Sequence, residues 1–199
     1  MDIRRYEKAI CELEAVPVPE GAVLLYGSST IRMWPEERLR ADLAPYTVCA
    51  RGFGGSTAEE ALFYYDRMVL PCRPRVLVWY EGDNDPNYGY SARRCMELSE
   101  RVFRRARADL PGIRIVLLGV KCSANHPEVN AVRRETTRLY RKYAESHADT
   151  SFVDVAGLVN TPSGELIPEY YREDKLHLSD EGYRLLGGAL KAVLDGLGL

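Results

Sequence analysis

Five apolar segments, separated by amphipathic ones, constrain the fold of this chain more than any other feature of its sequence. Two of them, VLVWYEG and IRIVLLGV, are unbroken apolar runs, which is the pattern of parallel strands buried on both faces. The predicted strands are 22–27, 47–52, 75–82, 114–121 and 151–156. Because helical patterns lie between them, the sequence predicts a three-layer α/β/α sandwich around a five-stranded parallel sheet.

Capping signals indicate where several predicted helices begin. Thr57 and Glu60 have capping-box spacing at the start of a helical pattern that runs through ALFYYDRMVL. Ser91 precedes a second helix, 128–147 is a third amphipathic segment, and Ser179 can cap the final one. The one long irregular connection, 157–174, has a length that is often functional in compact domains.

The size and charge of the chain limit its class. With 199 residues, 46% of them hydrophobic, it is expected to form one domain spanning 1–199. Its net charge of −2 makes nucleic acid or an anionic membrane unexpected as a main partner, and leaves self-association open. The charged N-terminal segment MDIRRYEKAICELEAV does not read as a signal peptide, so we expect a cytoplasmic protein.

The cysteines are odd in number and widely spaced, and they include no CxxC pair. This pattern argues against a disulfide framework and against a zinc site. We expect reduced thiols at Cys11, Cys49, Cys72, Cys95 and Cys122.

Polar clusters follow the predicted strands where ligands bind in open α/β sheets, beyond the carboxyl ends. They are 27–30 after the first strand, 52–57 after the second, 82–85 after the third, and 174–177 before the final helix. If the strand order is 2-1-3-4-5, the first three clusters are neighbours in space.

Each cluster contains residue types that can take part in nucleophilic catalysis, and each also has an ordinary structural interpretation. His177 could act as a general base if Asp174, three residues earlier, fixes its tautomer, or both could be surface residues before a helix cap. Ser28 or Ser29 could be a nucleophile, or both could be turn or N-cap residues.

The two remaining clusters are equally ambiguous when taken alone. The glycines of GFGGST could let backbone N–H groups approach a ligand, or could only form a turn. The amide of Asn84 could donate to an oxyanion, or could hold the turn in GDNDPN.

Together, and in this order, the four motifs resemble the SGNH (GDSL-like) hydrolase superfamily, from Leu24 to about Leu190. The resemblance implies a flavodoxin-like α/β/α sandwich with strand order 2-1-3-4-5. It also implies that Ser29 is the nucleophile, with Ser28 in the usual Asp position of the Gly-Asp-Ser turn; Gly-Ser-Ser is a variant form. The Asp-x-x-His motif matches DKLH, which makes Asp174 and His177 the other members of the triad.

The resemblance also assigns the oxyanion hole and the cofactor requirement. Gly55 matches the second motif, with Gly54 as the alternative if the register shifts by one, and Asn84 matches the third. The backbone N–H groups of Ser29 and Gly55 and the amide of Asn84 would then stabilise the oxyanion. No metal ion or organic cofactor is implied.

Other polar residues could bind substrate. Ser28, Asp85, Tyr88 and His126 are candidates, although Asp85 could instead hold the Asn84 turn and His126 could be a pre-helix turn residue. Whether Tyr90, Tyr170 and Tyr171 line the pocket stays open at this point.

The expected protein is therefore a serine esterase acting on a small-molecule or carbohydrate ester. Motifs such as GSSTIR, RGFGGST and YEGDND most resemble small acylhydrolases compared with platelet-activating-factor acetylhydrolase subunits and carbohydrate acetylesterases, which favours acetyl as the acyl group. Two alternatives are a non-catalytic binding domain on the same fold and a metal-dependent phosphoesterase that uses Asp83 and Asp85.

Overall fold

A five-stranded, all-parallel sheet forms the centre of the protein. The structure is a computed structural model that describes residues 2–199. The strands are β1 (Val23–Gly27), β2 (Val48–Gly52), β3 (Val76–Tyr80), β4 (Arg114–Leu118) and β5 (Thr150–Val153). Their order is β2-β1-β3-β4-β5, which confirms the predicted topology and makes β1 and β3 central strands.

Helices occupy the connections between the strands and the two ends of the chain. They are α1 (Glu7–Glu14), α2 (Ser29–Arg32), α3 (Glu36–Asp42), α4 (Ala58–Phe63), α5 (Tyr65–Met68), α6 (Ala92–Asp109), α7 (Asn130–Glu145), α8 (Val155–Val159) and α9 (Asp180–Gly196). None of the helices found within residues 2–199 combines the length and the apolar character that a membrane span requires.

Alternate residues of each strand pack against opposite helical layers, as the period-two geometry of a strand requires. On β1, Leu24 and Tyr26 enter a core covered by α1, α4, α5, α6 and α7. Val23 and Leu25 enter a second core covered by α2, α3, α8 and α9. This arrangement confirms the predicted three-layer sandwich.

The capping predictions are confirmed where the structure tests them. The Thr57 side chain accepts a hydrogen bond from the Glu60 N–H while the Glu60 carboxylate accepts one from the Thr57 N–H, which completes the capping box of α4. Ser91 and Ser179 accept hydrogen bonds from Arg94 N–H and Gly182 N–H at the starts of α6 and α9. The helix predicted through ALFYYDRMVL is interrupted at Tyr64, whose ψ of 6° leaves the helical range.

The end of the sheet differs from the prediction for a local reason. The fifth strand ends at Val153 instead of residue 156, because the Asp154 carboxylate accepts a hydrogen bond from Gly157 N–H and begins α8. The long connection therefore starts at Asn160. It contains an isolated bridge between Asn160 and Leu166 and a 3-10 turn at Pro168–Tyr170.

Two glycines allow the central strands and α2 to approach closely. A Cβ on Gly27, the last residue of β1, would lie 2.0 Å from the Tyr80 carbonyl oxygen at the end of β3. A Cβ on Gly52, the last residue of β2, would lie 2.3 Å from the Arg32 nitrogen in α2. Both neighbouring atoms belong to the backbone and could move only by distorting a strand or α2, so glycine is required at both positions.

We expect Gly27→Ala to lower the free energy of unfolding by about 3 kcal/mol, because its methyl group overlaps the Tyr80 carbonyl. Gly188→Ala is the matched control, since Gly188 is an exposed α9 residue where an added Cβ would have no neighbouring atom within 4 Å. Its free energy of unfolding should rise by about 0.5–1 kcal/mol, because alanine favours a helix over glycine. Urea denaturation of both variants measures the difference. A Gly27→Ala protein as stable as wild type would contradict the close approach.

Candidate active site

The register of the sheet brings three of the predicted motifs to one edge. Gly27 is paired with Gly52 on one side and with Tyr80 on the other, so β1, β2 and β3 end at the same level. Further backbone hydrogen bonds join the segments that follow: Ser28 N–H donates to Tyr80 O at 3.2 Å, and Phe53 N–H donates to Gly27 O at 3.0 Å. The serine turn (27–30) therefore lies between the glycine-rich loop (52–57) and the GDND turn (82–85).

The two adjacent serines have different environments. Ser28 precedes α2, is fully buried, and its Oγ has no hydrogen-bond partner within residues 2–199. Ser29 is the first residue of α2 and keeps 7% of its surface exposed. Of the pair, Ser29 is the one whose hydroxyl a substrate can reach.

Asp174 and His177 form a hydrogen-bonded turn in front of α9. His177 Nδ1 lies 2.6 Å from Asp174 Oδ2, while Asp174 Oδ1 accepts the backbone N–H groups of Leu176 and His177, each at 2.9 Å. Lys175, between them, adopts a left-handed conformation with φ 55°. One carboxylate thus shapes the turn and orients the imidazole, which leaves Nε2 as the ring nitrogen free for chemistry.

The same contacts determine the ionisation of Asp174. Its partial burial alone would raise the pKa, but hydrogen bonds from the His177 backbone and side chain and from Leu176 outweigh this and lower the pKa to about 2. Asp174 is therefore a carboxylate throughout the neutral range.

One hydrogen bond joins α9 to the segment after Ser29, and another joins the Asp174–His177 turn to the loop after β4. Tyr183 Oη, in the first turns of α9, donates to the carbonyl of Thr30, the residue after Ser29, at 2.9 Å. Ala124 N–H donates to Lys175 O at 3.2 Å. Within residues 2–199 no hydrogen bond joins Ser29 Oγ to His177; in unliganded enzymes such contacts are often long and tighten only when substrate binds.

The glycine-rich loop has one position, Gly55, whose backbone conformation favours glycine. Gly55 has φ +85°, and a Cβ there would lie 3.0 Å from Tyr6 Oη. A Cβ on Gly54 would lie 2.7 Å from Arg32 Nε. Gly55 is the one in a left-handed conformation, and Tyr6 lies directly over it.

The GDND turn positions Asn84 beside that loop. Asn84 is partly exposed, and its Nδ2 donates to Ser56 O at 2.9 Å, which leaves its second amide hydrogen free. Asp85 is fully buried, and its two oxygens accept the N–H groups of Ala58 and Gly82, each at 3.0 Å. This geometry fits the turn-holding role of Asp85 rather than contact with substrate, and burial raises its pKa to about 6.

Asp83 belongs to a buried ion cluster that sequence reasoning missed. Lys121 Nζ lies 3.0 Å from Asp83 Oδ2, and Arg133 Nε lies 3.3 Å from Asp83 Oδ1, with all three side chains almost fully buried. Burial alone would raise the pKa of Asp83, but the two cations lower it. Lys121 at the end of an apolar run was the available signal, since a buried lysine requires a partner.

The N-terminal segment closes one side of the glycine-rich loop, which the sequence also did not indicate. Arg5 pairs with the buried carboxylate of Glu60 at 2.5 Å and donates to Gly55 O at 3.1 Å. Its guanidinium also bonds Tyr88 Oη and lies 4.8 Å from the centre of that ring. Tyr88, a candidate for substrate contact, is 43% exposed at this position.

The other candidates lie around the same edge. His126 Nδ1 is 3.2 Å from Glu128 Oε1 on the exposed surface. Tyr171 is buried, and its Oη donates to Cys122 O at 2.9 Å, while Tyr90 bonds Glu59. Residues 2–199 contain no group of three or more His, Cys, Asp or Glu side chains arranged to hold a metal ion.

Three cavities of the described chain do not include the four residues expected to carry the chemistry. They measure about 930, 740 and 270 Å³. The first lies between α4 and α6, the second beside the exposed edge of β2, and the third beside α8. Ser29, Gly55, Asn84 and His177 are not in any of their walls.

Asp174→Asn should remove a stabilising contribution that depends on pH. Because the folded pKa of about 2 lies below the ordinary value of 3.8, the contribution is complete above the ordinary value and is lost as pH falls through the folded one. We expect wild type to be more stable than the variant by up to about 1 kcal/mol near pH 6, since Asp174 is half-exposed, with the difference shrinking below about pH 4. Denaturant titrations across this range measure it, and a difference independent of pH would contradict the assignment.

Solved structures share this fold. A candidate platelet activating factor from Streptococcus pneumonia is 22% identical, with 97% of this chain and 92% of that chain covered and a TM-score of 0.82. A GDSL-like lipase from Bacteroides thetaiotaomicron VPI-5482 is 20% identical, with 98% and 100% covered and a TM-score of 0.79. The acetyl xylan esterase AlAXEase is 19% identical, with 87% and 99% covered and a TM-score of 0.72.

The family comparison covers most of the chain. A search of curated protein sequences found no significant match. Residues 19–185 match the GDSL-like Lipase/Acylhydrolase family, a span that includes the serine turn, the glycine-rich loop, the GDND turn and the Asp174–His177 pair. The chain therefore belongs to the GDSL-like lipase/acylhydrolase family.

Proposed function

We propose that this protein is a serine esterase that removes short acyl groups, acetyl above all, from a small molecule or a carbohydrate through an acyl-enzyme intermediate. The observation that carries the proposal is the hydrogen-bonded Asp174–His177 pair, which directly precedes α9, while Tyr183 of α9 bonds the residue after Ser29. A nucleophile, an oriented base and oxyanion donors are the components that acyl transfer requires.

The first half of the reaction forms the acyl-enzyme. Ser29 Oγ attacks the ester carbonyl carbon while its proton passes to His177 Nε2, and Asp174 stabilises the imidazolium that results. The tetrahedral intermediate then collapses, its bond to the alcohol oxygen breaks, and the leaving alkoxide takes the proton from His177. The acyl group stays on Ser29.

The second half regenerates the enzyme. Water attacks the acyl carbon and gives a proton to His177, the bond to Ser29 Oγ breaks, and that oxygen recovers its proton from His177. The backbone N–H groups of Ser29 and Gly55 and the free amide hydrogen of Asn84 stabilise the negative oxygen in both halves.

Two observations support a short acyl group. None of the three cavities described above opens at Ser29, and Tyr6 lies over Gly55 on one side of the site. One structural neighbour is an acetyl xylan esterase, which supports an acetylated carbohydrate as one substrate class. A long acyl chain would need an apolar channel beside the nucleophile.

Ser29→Ala should lower kcat for p-nitrophenyl acetate by about 10⁴-fold or more, because the group that becomes acylated is lost. Ser28→Ala is the matched control, since Ser28 is adjacent and buried, and it should keep most of the activity. Rapid mixing of wild type should also release a burst of p-nitrophenol, which reports the acyl-enzyme. The proposal fails if Ser29→Ala hydrolyses the ester as wild type does.

Substrate length should determine the specificity constant. Across p-nitrophenyl esters from acetate to octanoate, we expect kcat/KM to fall by about tenfold or more beyond butyrate, because Ser29 is in the wall of none of the three cavities described above. Acetylated xylo-oligosaccharides, with acetate release followed by NMR, test the carbohydrate class. A higher kcat/KM for octanoate than for acetate would overturn the short-acyl assignment.

A further inference from the structure

Glu81 is a fully buried carboxyl group that the proposed mechanism does not use. It is the first residue after β3, and its Oε1 accepts a hydrogen bond from Ser56 Oγ at 2.6 Å. Its Oε2 has no hydrogen-bond partner in the part of the chain that the structure describes. A buried carboxyl group with only one partner requires a physical explanation.

The surroundings of Glu81 favour its neutral form. Burial raises its pKa well above the ordinary value, and nearby carboxyl groups, Asp85 first, raise it further than the Ser56 hydrogen bond lowers it. The cations Arg5 and Lys121 pair with other carboxylates. The neutral acid avoids the cost of burying an unpaired charge.

Ser56 connects Glu81 to the oxyanion donors. It directly follows Gly55, is fully buried, and offers its carbonyl to Asn84 Nδ2 at 2.9 Å while its hydroxyl bonds Glu81. The Glu81 backbone is itself fixed, because Tyr140 Oη donates to Glu81 O at 3.1 Å. Ser56 therefore bonds Glu81 through its hydroxyl, bonds Asn84 through its carbonyl, and is joined to Gly55 by the peptide bond.

We propose that Glu81 is a positioning residue for the oxyanion hole, acting through Ser56 to hold the Gly55 backbone and the Asn84 amide in place. This inference rests on the proposed esterase function. Glu81 would support the groups that stabilise the oxyanion, and not the groups that transfer the proton between Ser29 and His177. Misplaced oxyanion donors lower the rate of the chemical step more than they weaken substrate binding.

The test compares kcat and KM for p-nitrophenyl acetate in Glu81→Ala, Ser56→Ala, the double variant and Glu81→Gln. Both alanine variants should lose about 10- to 100-fold in kcat with KM changed less than about threefold, since only transition-state stabilisation is impaired. The double variant should be no slower than the worse single variant, because both act through one contact. Glu81→Gln keeps the acceptor for Ser56 and should recover about tenfold or more of the loss of Glu81→Ala.

Thr137→Val is the control for loss of a buried hydroxyl. Thr137 Oγ1 donates to Val120 O at 2.9 Å and accepts from Val120 N–H at 2.8 Å, and within residues 2–199 it makes no hydrogen bond to the glycine-rich loop or to Asn84. Its variant should unfold at a lower temperature with kcat unchanged. If Glu81→Ala does not fold, Ser56→Ala and Glu81→Gln carry the comparison.

The possible results separate the two proposals. If wild type is active through Ser29 while the folded alanine variants keep kcat within about twofold, the positioning role is overturned and the esterase stands. Equal losses in Glu81→Gln and Glu81→Ala would also overturn it. Equal hydrolysis by wild type and Ser29→Ala would overturn both proposals.

Discussion

The contact between the Gly27 backbone and the Tyr80 carbonyl is the constraint on which the candidate site depends. This contact sets the distance between the ends of β1 and β3. Gly52 allows a similarly close approach between β2 and α2. Because Ser29 follows Gly27 by two residues, the position of this proposed nucleophile is a consequence of backbone packing between central strands. A side chain at this point would separate the serine turn from the loops on either side.

Four fully buried carboxyl groups lie near the glycine-rich loop and the GDND turn, and they are accommodated in three ways. They are Glu60, Glu81, Asp83 and Asp85. Asp83 and Glu60 are paired with cations, Asp85 accepts two backbone N–H groups, and Glu81 accepts one hydrogen bond from Ser56 while burial raises its pKa. Removing the cation partner of Asp83 or Glu60 would leave an unpaired buried charge, which is strongly destabilising. The geometry of the nearby loops therefore depends on these ion pairs staying intact.

The sequence predicted the elements of this protein better than the contacts between them. The alternation of strands and helices and the capping residues follow from local patterns, because apolar periodicity and capping chemistry act over a few residues. The strand order came from the family resemblance, since local patterns do not specify which strands pair. The pairing of Arg5 with Glu60 and that of Lys121 with Asp83 join distant positions, and nothing in the local sequence of either partner identifies the other. The start of α8 at Asp154 depends on a local cap, but it was missed because the apolar residues continue past Asp154 and suggest a longer strand.

The hydrogen bond from Tyr183 to the Thr30 carbonyl links the final helix to the serine turn near the other end of the sequence. The ribosome therefore delivers the proposed nucleophile and the proposed oxyanion segments long before the Asp174–His177 turn and the helix that follows it. A nascent chain that has the sheet but not α9 would contain Ser29 without the proposed base. If the proposed function holds, hydrolytic competence should arise only once α9 has docked.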